Sequence, residues 1–220
     1  MKRSIFILAA IFALLTSGCN LLFKVPIGGP ELIPTEIFTV DEAIPGNATV
    51  TDTEITLAPS NGLVTLAGNS GKLVSGEIQY NVADWKPAVM IDGSTLRFEQ
   101  DIPDNNISST PKDSINKWDL ELGDTLTNIT VSLSSGNYTL TFANTLPDGI
   151  AIQVSAGVGN LRLEFPTNVI VNVEVQRGPA NISTEGVWTK NGKSYISGES
   201  GPVWTVKVDI GVGNLTLVSQ

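Results

Sequence analysis

From about residue 49 to the C-terminus, apolar and polar side chains alternate one for one in short runs. Ile129, Val131 and Leu133 alternate with Thr130 and Ser132, Tyr138, Leu140 and Phe142 with Thr139 and Thr141, and Ile150, Ile152 and Val154 with Ala151 and Gln153. The same pattern returns at Leu161, Leu163 and Phe165, at Val169, Val171, Val173 and Val175, and at Val206, Val208 and Ile210. Period-two alternation is the mark of a strand that buries one face and wets the other. It excludes the parallel sheet covered on both faces that α/β proteins use. No longer segment of this region combines helical periodicity with helix-forming composition, so the chain reads as all-β.

Superimposed on the alternation is a repeat. GVGNLRL at 157–163 returns almost letter for letter as GVGNLTL at 211–217, with weaker copies at 135–140 and 178–183. Asn137, Asn160, Asn181 and Asn214 fall at intervals of 23, 21 and 33 residues. A period of this size points to a solenoid, in which each turn lays its strands on those of the turn before. A β-sandwich fits the alternation but not the repeat. The glycines at 157, 159, 178, 211 and 213 then mark corners. The four asparagines fit two readings: a ladder passing amide hydrogen bonds from turn to turn, or turn residues that tolerate unusual dihedrals.

The 33-residue interval contains Asn191-Gly192 between two strand-like runs, a strong hairpin signal. The expectation is a hairpin projecting from the last turn. Trp188, Tyr195 and Trp204 lie near it and either form an interaction surface or close the open end of the core. Residues 99–117 are polar, carry Pro103 and Pro111, and lack alternation, so they read as a long loop. Asp101, Asp104 and Asp113 within it match no calcium-loop spacing.

The N-terminus changes the address. Lys2 and Arg3 precede an apolar run at residues 5–15, followed by Thr16, Ser17, Gly18 and Cys19. This is a secretory signal, and the small residues before the sole cysteine resemble the lipobox of bacterial lipoproteins. The resemblance implies cleavage before Cys19 and a diacylglyceryl group on its thiol. An unlipidated secretory signal and an uncleaved anchor are the alternatives, the latter with a run short for a spanning helix. Residues 1–18 are then the signal, and 19–48, rich in Pro and Gly, are a tether whose 32–40 part can dock as an edge strand. An N-terminal β segment at 49–105 and the rungs at 106–220 pack as one domain. The expected location is the cell membrane or outer membrane, facing the extracytoplasmic side.

Loss of residues 1–18 removes two basic residues and no acid, leaving 11 basic and 22 acidic side chains, a net charge of −11. With no cluster of Lys and Arg, such a surface repels nucleic acid and steers cationic or protein partners. One cysteine excludes an internal disulfide. The chain has no histidine, so the commonest general base and metal ligand are missing. Each Gly-x-Gly precedes a strand, without the helix a dinucleotide site needs. Lys193 with Ser194 or Ser197, and Asp52 with Glu54, are the remaining pairs that suit catalysis on paper. The expectation is a protein that is not an enzyme and carries no cofactor or metal, with its oligomeric state open.

Two stretches carry a family resemblance: GKLVSGEIQYNVADWKPAVMID at 71–92, continued by residues 96–100, and the GVGNLxL pair. Together they resemble the toastrack superfamily of small β-helical domains in bacterial envelope proteins, including the C-terminal domains of LiaF-like cell-wall stress regulators. The motif positions matched are Gly76, Tyr80, Asn81, Lys86 and Pro87. The resemblance covers roughly residues 50–218 and implies a single-stranded, right-handed β-helix-like solenoid. It supplies no catalytic residues. A lipid anchor in place of membrane helices departs from the LiaF-like pattern. The function expected is a non-enzymatic envelope module with a structural or interaction role; an envelope-stress sensor or binding lipoprotein for a cationic peptide, glycan or membrane protein is the alternative.

Overall fold

A computed structural model describes residues 31–46, 49–69, 71–100, 112–177 and 180–220. In chain order the strands are β1 (Leu32–Glu42), β2 (Asp52–Leu57), β3 (Ser60–Asn69), β4 (Val74–Val82), β5 (Ala88–Asp92), β6 (Thr95–Glu99), β7 (Asn116–Gly123) and β8 (Asn128–Leu133). They continue with β9 (Gly136–Phe142), β10 (Ala151–Phe165), β11 (Ile170–Arg177), β12 (Ala180–Glu185), β13 (Thr189–Asn191), β14 (Ser194–Ser197) and β15 (Val203–Ser219). A single 3-10 turn, Ala83–Trp85, is the sole helical element among the described residues. Cys19, the signal 1–18, the first part of the tether, Gly178 and the 105/106 boundary lie outside the described residues.

The strands combine into bent rungs. β10 and β15 each run unbroken through a corner, and the pairs β2–β3, β8–β9, β11–β12 and β6–β7 trace the same bent path in two pieces. On one side of the corner β6, β2, β8 and the first parts of β10 and β15 stack in parallel, ending on β11. On the other side β7, β3, β9 and the second parts of β10 and β15 stack in parallel, ending on β12. One curled sheet therefore closes over one core.

Alternation explains what fills it. The inward column Phe98, Ile55, Val131, Val154, Val208 and Val175 runs through successive rungs and is fully buried. It faces Trp118, Val64, Leu140, Leu163 and Leu217 from the other half. Phe98 and Trp118 meet across the core edge to face at 6.0 Å, and Phe142 stacks on Phe165 at 5.1 Å. Each aliphatic side chain buried this way contributes about 1.5–3 kcal/mol, so the columns dominate the stability.

The corner changes which parity points inward. Along β10, Ile152 and Val154 are buried before it and Leu161, Leu163 and Phe165 after it. Gly159 and Gly213 make the bend at φ of 139° and 145°, and a Cβ on either would overlap the carbonyl oxygen of the glycine in the adjacent rung. Only a residue without a side chain fits a left-handed dihedral and a close backbone approach together.

Two expectations are corrected. The turns do not stack in chain order: the chain builds β2–β3, then β6–β7 outside it, and then β8–β9 on the opposite side. Likewise β15, the last strand, inserts between β10 and the β11–β12 rung. This placement sets GVGNLTL on GVGNLRL, Val158 against Val212, Asn160 against Asn214 and Leu161 against Leu215. It also pairs both edges of the C-terminal strand, removing an open template for aggregation.

The second correction concerns the hairpin. β13 and β14 are antiparallel across Asn191-Gly192, but β14 is also hydrogen-bonded to β11, with Tyr195 opposite Val173. The hairpin continues the sheet and does not project. At the opposite end β4 lies antiparallel on β7, β1 on β4, and β5 on β6. The segment at 32–42 is thus an edge strand.

Candidate functional site: an asparagine ladder and its groove

The corner is held by Gly136, Gly159 and Gly213, with Ser60 and Ala180 in register with them in two other rungs, and the side chain that follows each points outward. In five rungs that residue is asparagine: Asn61, Asn137, Asn160, Asn214 and Asn181, each the register partner of the next. Their side chains are hydrogen-bonded in series. Asn137 Nδ2 donates to Asn61 Oδ1 at 2.8 Å, Asn160 to Asn137 at 2.6 Å, Asn214 to Asn160 at 2.6 Å and Asn181 to Asn214 at 3.2 Å. Every amide donates in the same direction, so the bonds polarise one another.

Asn61 escapes sequence reasoning because its glycine, Gly62, follows instead of preceding it. The signal that finds it is the apolar pair at three and five residues downstream, Val64 and Leu66, which repeats Leu140 and Phe142 after Asn137. The spacing of 33 residues between Asn181 and Asn214 also has its reason here. Asn181 sits beyond Asn214 at the end of the ladder, not before it.

Beside the ladder runs an open groove of about 570 Å³. Asn61, Asn137 and Asn160 line one side; Leu63, Thr139, Arg162 and Thr216 line the other, over a floor that includes Gly62 and Tyr138. A Cβ at Gly62 would come within 2.8 Å of the Tyr138 ring, so the glycine makes room for the tyrosine. Tyr138 Oη donates to the Ala58 carbonyl at 2.9 Å and accepts from Ser60 N at 3.2 Å. Burial raises its pKa above the ordinary phenol value.

At the end of the groove Arg162 bridges over β15. Its Nη1 and Nη2 donate to the two Glu185 oxygens of β12 at 2.8 Å each, and its Nε donates to Glu164 at 2.7 Å. A planar guanidinium matched to a carboxylate in this bidentate way is strongly oriented. The bonds to Glu185 and then Glu164 hold the guanidinium charged. Burial pushes the Glu164 carboxyl up, but the hydrogen bonds from Arg162 and Thr141 outweigh it and hold it below the usual carboxylate range. Glu185 is lowered by Arg162.

In the β6–β7 rung the corresponding corner is occupied by a buried amide network. Gln100 and Asn116 exchange two hydrogen bonds, Nε2 to Oδ1 at 3.0 Å and Nδ2 to Oε1 at 2.9 Å. Trp118 Nε1 donates to Asn116 Oδ1 at 2.7 Å, and Gln100 Nε2 to the Trp85 carbonyl at 2.8 Å. Full satisfaction makes such a network tolerable in a core.

Trp204 is 0 % and Tyr195 5 % exposed, so these two do not form an interaction surface. The parity of their strands turns them inward, where Trp204 Nε1 donates to the Pro147 carbonyl at 3.0 Å. Trp188 is half-buried and packs edge-on against Phe165 at 6.1 Å. Asp52 accepts hydrogen bonds from Thr51, Ser94 and Asn128, and Glu54 pairs with Arg97 at 3.0 Å. Ser197 Oγ donates to Ser219 Oγ at 2.8 Å.

Of the motif positions, Gly76 has φ 147° against the Asp119 backbone, and Tyr80 Oη donates to Glu36 at 2.5 Å. Asn81 bridges the Asp113 carbonyl at 3.0 Å and Ile115 N at 2.6 Å. Lys86 and Pro87 follow the 3-10 turn. Among the described residues no group of three His, Cys, Asp or Glu side chains suits a metal ion, and no helix is long and apolar enough to cross a membrane.

A family model, the N-terminal domain of toast_rack (DUF2154), matches residues 34–184. Among solved structures, a candidate cell-adhesion protein of Clostridium sporogenes aligns with a TM-score of 0.57 at 19 % identity, over 87 % of this chain and 100 % of its own. A candidate adhesin of Bacteroides fragilis aligns at 12 % identity with a TM-score of 0.34, over 83 % and 97 % of the two chains. No curated protein matches the chain.

Proposed function

Because the chain belongs to the toast_rack N-terminal domain family, we propose that it is a non-catalytic module of the bacterial cell envelope, held on the extracytoplasmic side by lipid on Cys19. Its role is to present the rigid outer face of the coil to another molecule. The observation that carries this reading is the groove along the asparagine ladder, a trough of mixed polar and apolar lining on stacked strands rather than on loops. Sites built on regular elements hold their geometry more closely than sites on loops. The fold shared with a candidate cell-adhesion protein supports it. The bent rungs are proposed to wind right-handed, the hand that crossovers between parallel strands take.

The second reading, a sensor or binding lipoprotein for a cationic peptide or membrane protein, is favoured by the net charge of −11 after signal cleavage. The anchoring step is tested with radiolabelled palmitate in cells carrying the wild type or Cys19→Ala. Label is expected in the wild type alone, and equal labelling of both sinks the anchor. Crosslinking in cells tests the module. A partner recovered at low salt and lost at high salt favours the charged-partner reading, whereas recovery indifferent to salt favours recognition by the groove, whose one charged side chain, Arg162, is ion-paired.

A further inference from the structure

We infer that the groove beside the asparagine ladder binds a neutral, extended glycan; this names a ligand class for the interaction module proposed above and rests on that reading. The shape comes first. The groove crosses β3, β9, β10 and β15 at right angles to the strands, and three strand spacings give a trough of roughly 14 Å. A chain of equatorially linked pyranoses advances by a step close to one strand spacing, so about three sugars span it.

The chemistry matches along that length. A side-chain amide has two N–H donors and an oxygen with two lone pairs. Within the ladder Asn137 and Asn160 each use one donor and one lone pair on their neighbours. One donor and one lone pair of each remain outside the ladder bonds, repeating at the strand spacing, and these suit hydroxyl groups that both donate and accept. Across the trough Leu63 is 51 % exposed, an apolar wall for the C–H face of a sugar ring.

Charge selects the class. Among the described residues lining the groove, Arg162 alone is charged. Three of its five donors are taken by Glu164 and by both oxygens of Glu185, and these two carboxylates outweigh its single positive charge, so the site does not attract the phosphates or carboxylates of an anionic polymer. A polyhydroxylated neutral chain satisfies the groove; a charged one does not.

Isothermal titration of the full-length protein in detergent micelles with chitohexaose, with cellohexaose and with anionic heparin tests this. Binding of either hexaose is expected; tighter binding of chitohexaose assigns the amides to its acetamido groups, and equal binding assigns them to hydroxyls. Leu63→Glu and Thr139→Tyr, both in the groove wall, are expected to weaken binding roughly tenfold or more without lowering Tm. Val187→Glu, on a residue 82 % exposed and outside the groove, is expected to bind as the wild type does. Binding of neither hexaose, binding that survives both groove variants, or binding of heparin alone overturns the inference. Such a failure leaves palmitate labelling and cellular crosslinking unaffected, so it is distinguishable from failure of the envelope-module reading.

Discussion

Replacing Asn160 by Ala removes two side-chain hydrogen bonds at once, the 2.6 Å donation to Asn137 and the 2.6 Å acceptance from Asn214. Each amide bond contributes about 0.5–1.5 kcal/mol net. The ladder faces solvent, so water rehydrates the abandoned partners and the cost falls toward the lower half of that range, about 1–2 kcal/mol in total. Asparagine and alanine are both disfavoured in strands, so propensity does not mask the effect. For a chain of this size the expected drop in Tm is roughly 2–8 °C. Asn61 and Asn181 each hold one ladder bond, so Asn61→Ala and Asn181→Ala cost about half as much. The double variant Asn160→Ala/Asn214→Ala removes three bonds, whereas its two single variants remove four in sum, because the bond between them is counted twice. Denaturant unfolding should therefore show a double variant less damaged than additivity requires by about one bond, about 0.5–1 kcal/mol. Equal costs at interior and end positions, with an additive double variant, would refute a cooperative ladder and leave five independent turn residues.

Other consequences follow from the corners, the clamp and the edge. Gly213→Ala puts a Cβ into the Gly159 carbonyl at a left-handed dihedral; a loss of about 3 kcal/mol or more is expected, read as a fall in soluble yield and in the denaturant midpoint, and a wild-type midpoint would show that the rungs can spread. Glu164 and Glu185 have lowered pKa values, so their contribution is present above the ordinary carboxylate pKa of about 4.3 and lost as pH falls through the lowered value. Tm measured from pH 7 down to pH 3 should fall less steeply for Arg162→Gln than for the wild type, and parallel profiles would remove the clamp from the account. Tyr80, buried and bonded to Glu36, has its pKa pushed up to about 12. Its share of stability is complete below about pH 10 and lost as pH rises toward 12. Ultraviolet titration should show late phenol titration from Tyr80 and from the buried Tyr138, of which Tyr80→Phe removes one tyrosine's share, and hydrogen exchange in β1 should accelerate in the same variant.

Local periodicity determined the all-β class, the alternating faces of the main strands and the corners at Gly159 and Gly213. A strand's alternation is written in consecutive residues, and a glycine between two runs of opposite parity marks where the chain must bend. The resemblance to the toastrack family added the coil, and the family match over residues 34–184 places the chain there. The spaced asparagines were legible as a set, with a ladder and plain turns both open. The fate of Tyr195 and Trp204 was open too, since alternation around them does not say which face has a core beneath it.

The order of the rungs was decided by tertiary structure alone. Near-identical rungs stack on one another almost equally well, so no local signal says that β15 enters between β10 and β12. That choice depends on the sum of non-local contacts: two paired edges for the last strand, a matched column of glycine, asparagine and leucine, and an arginine long enough to reach across it to Glu185. The same insertion carried Asn181 to the end of the ladder and aligned four strands under one groove. The sequence by itself held the rungs and their side-chain columns; the stacking order, and with it the site, came from packing.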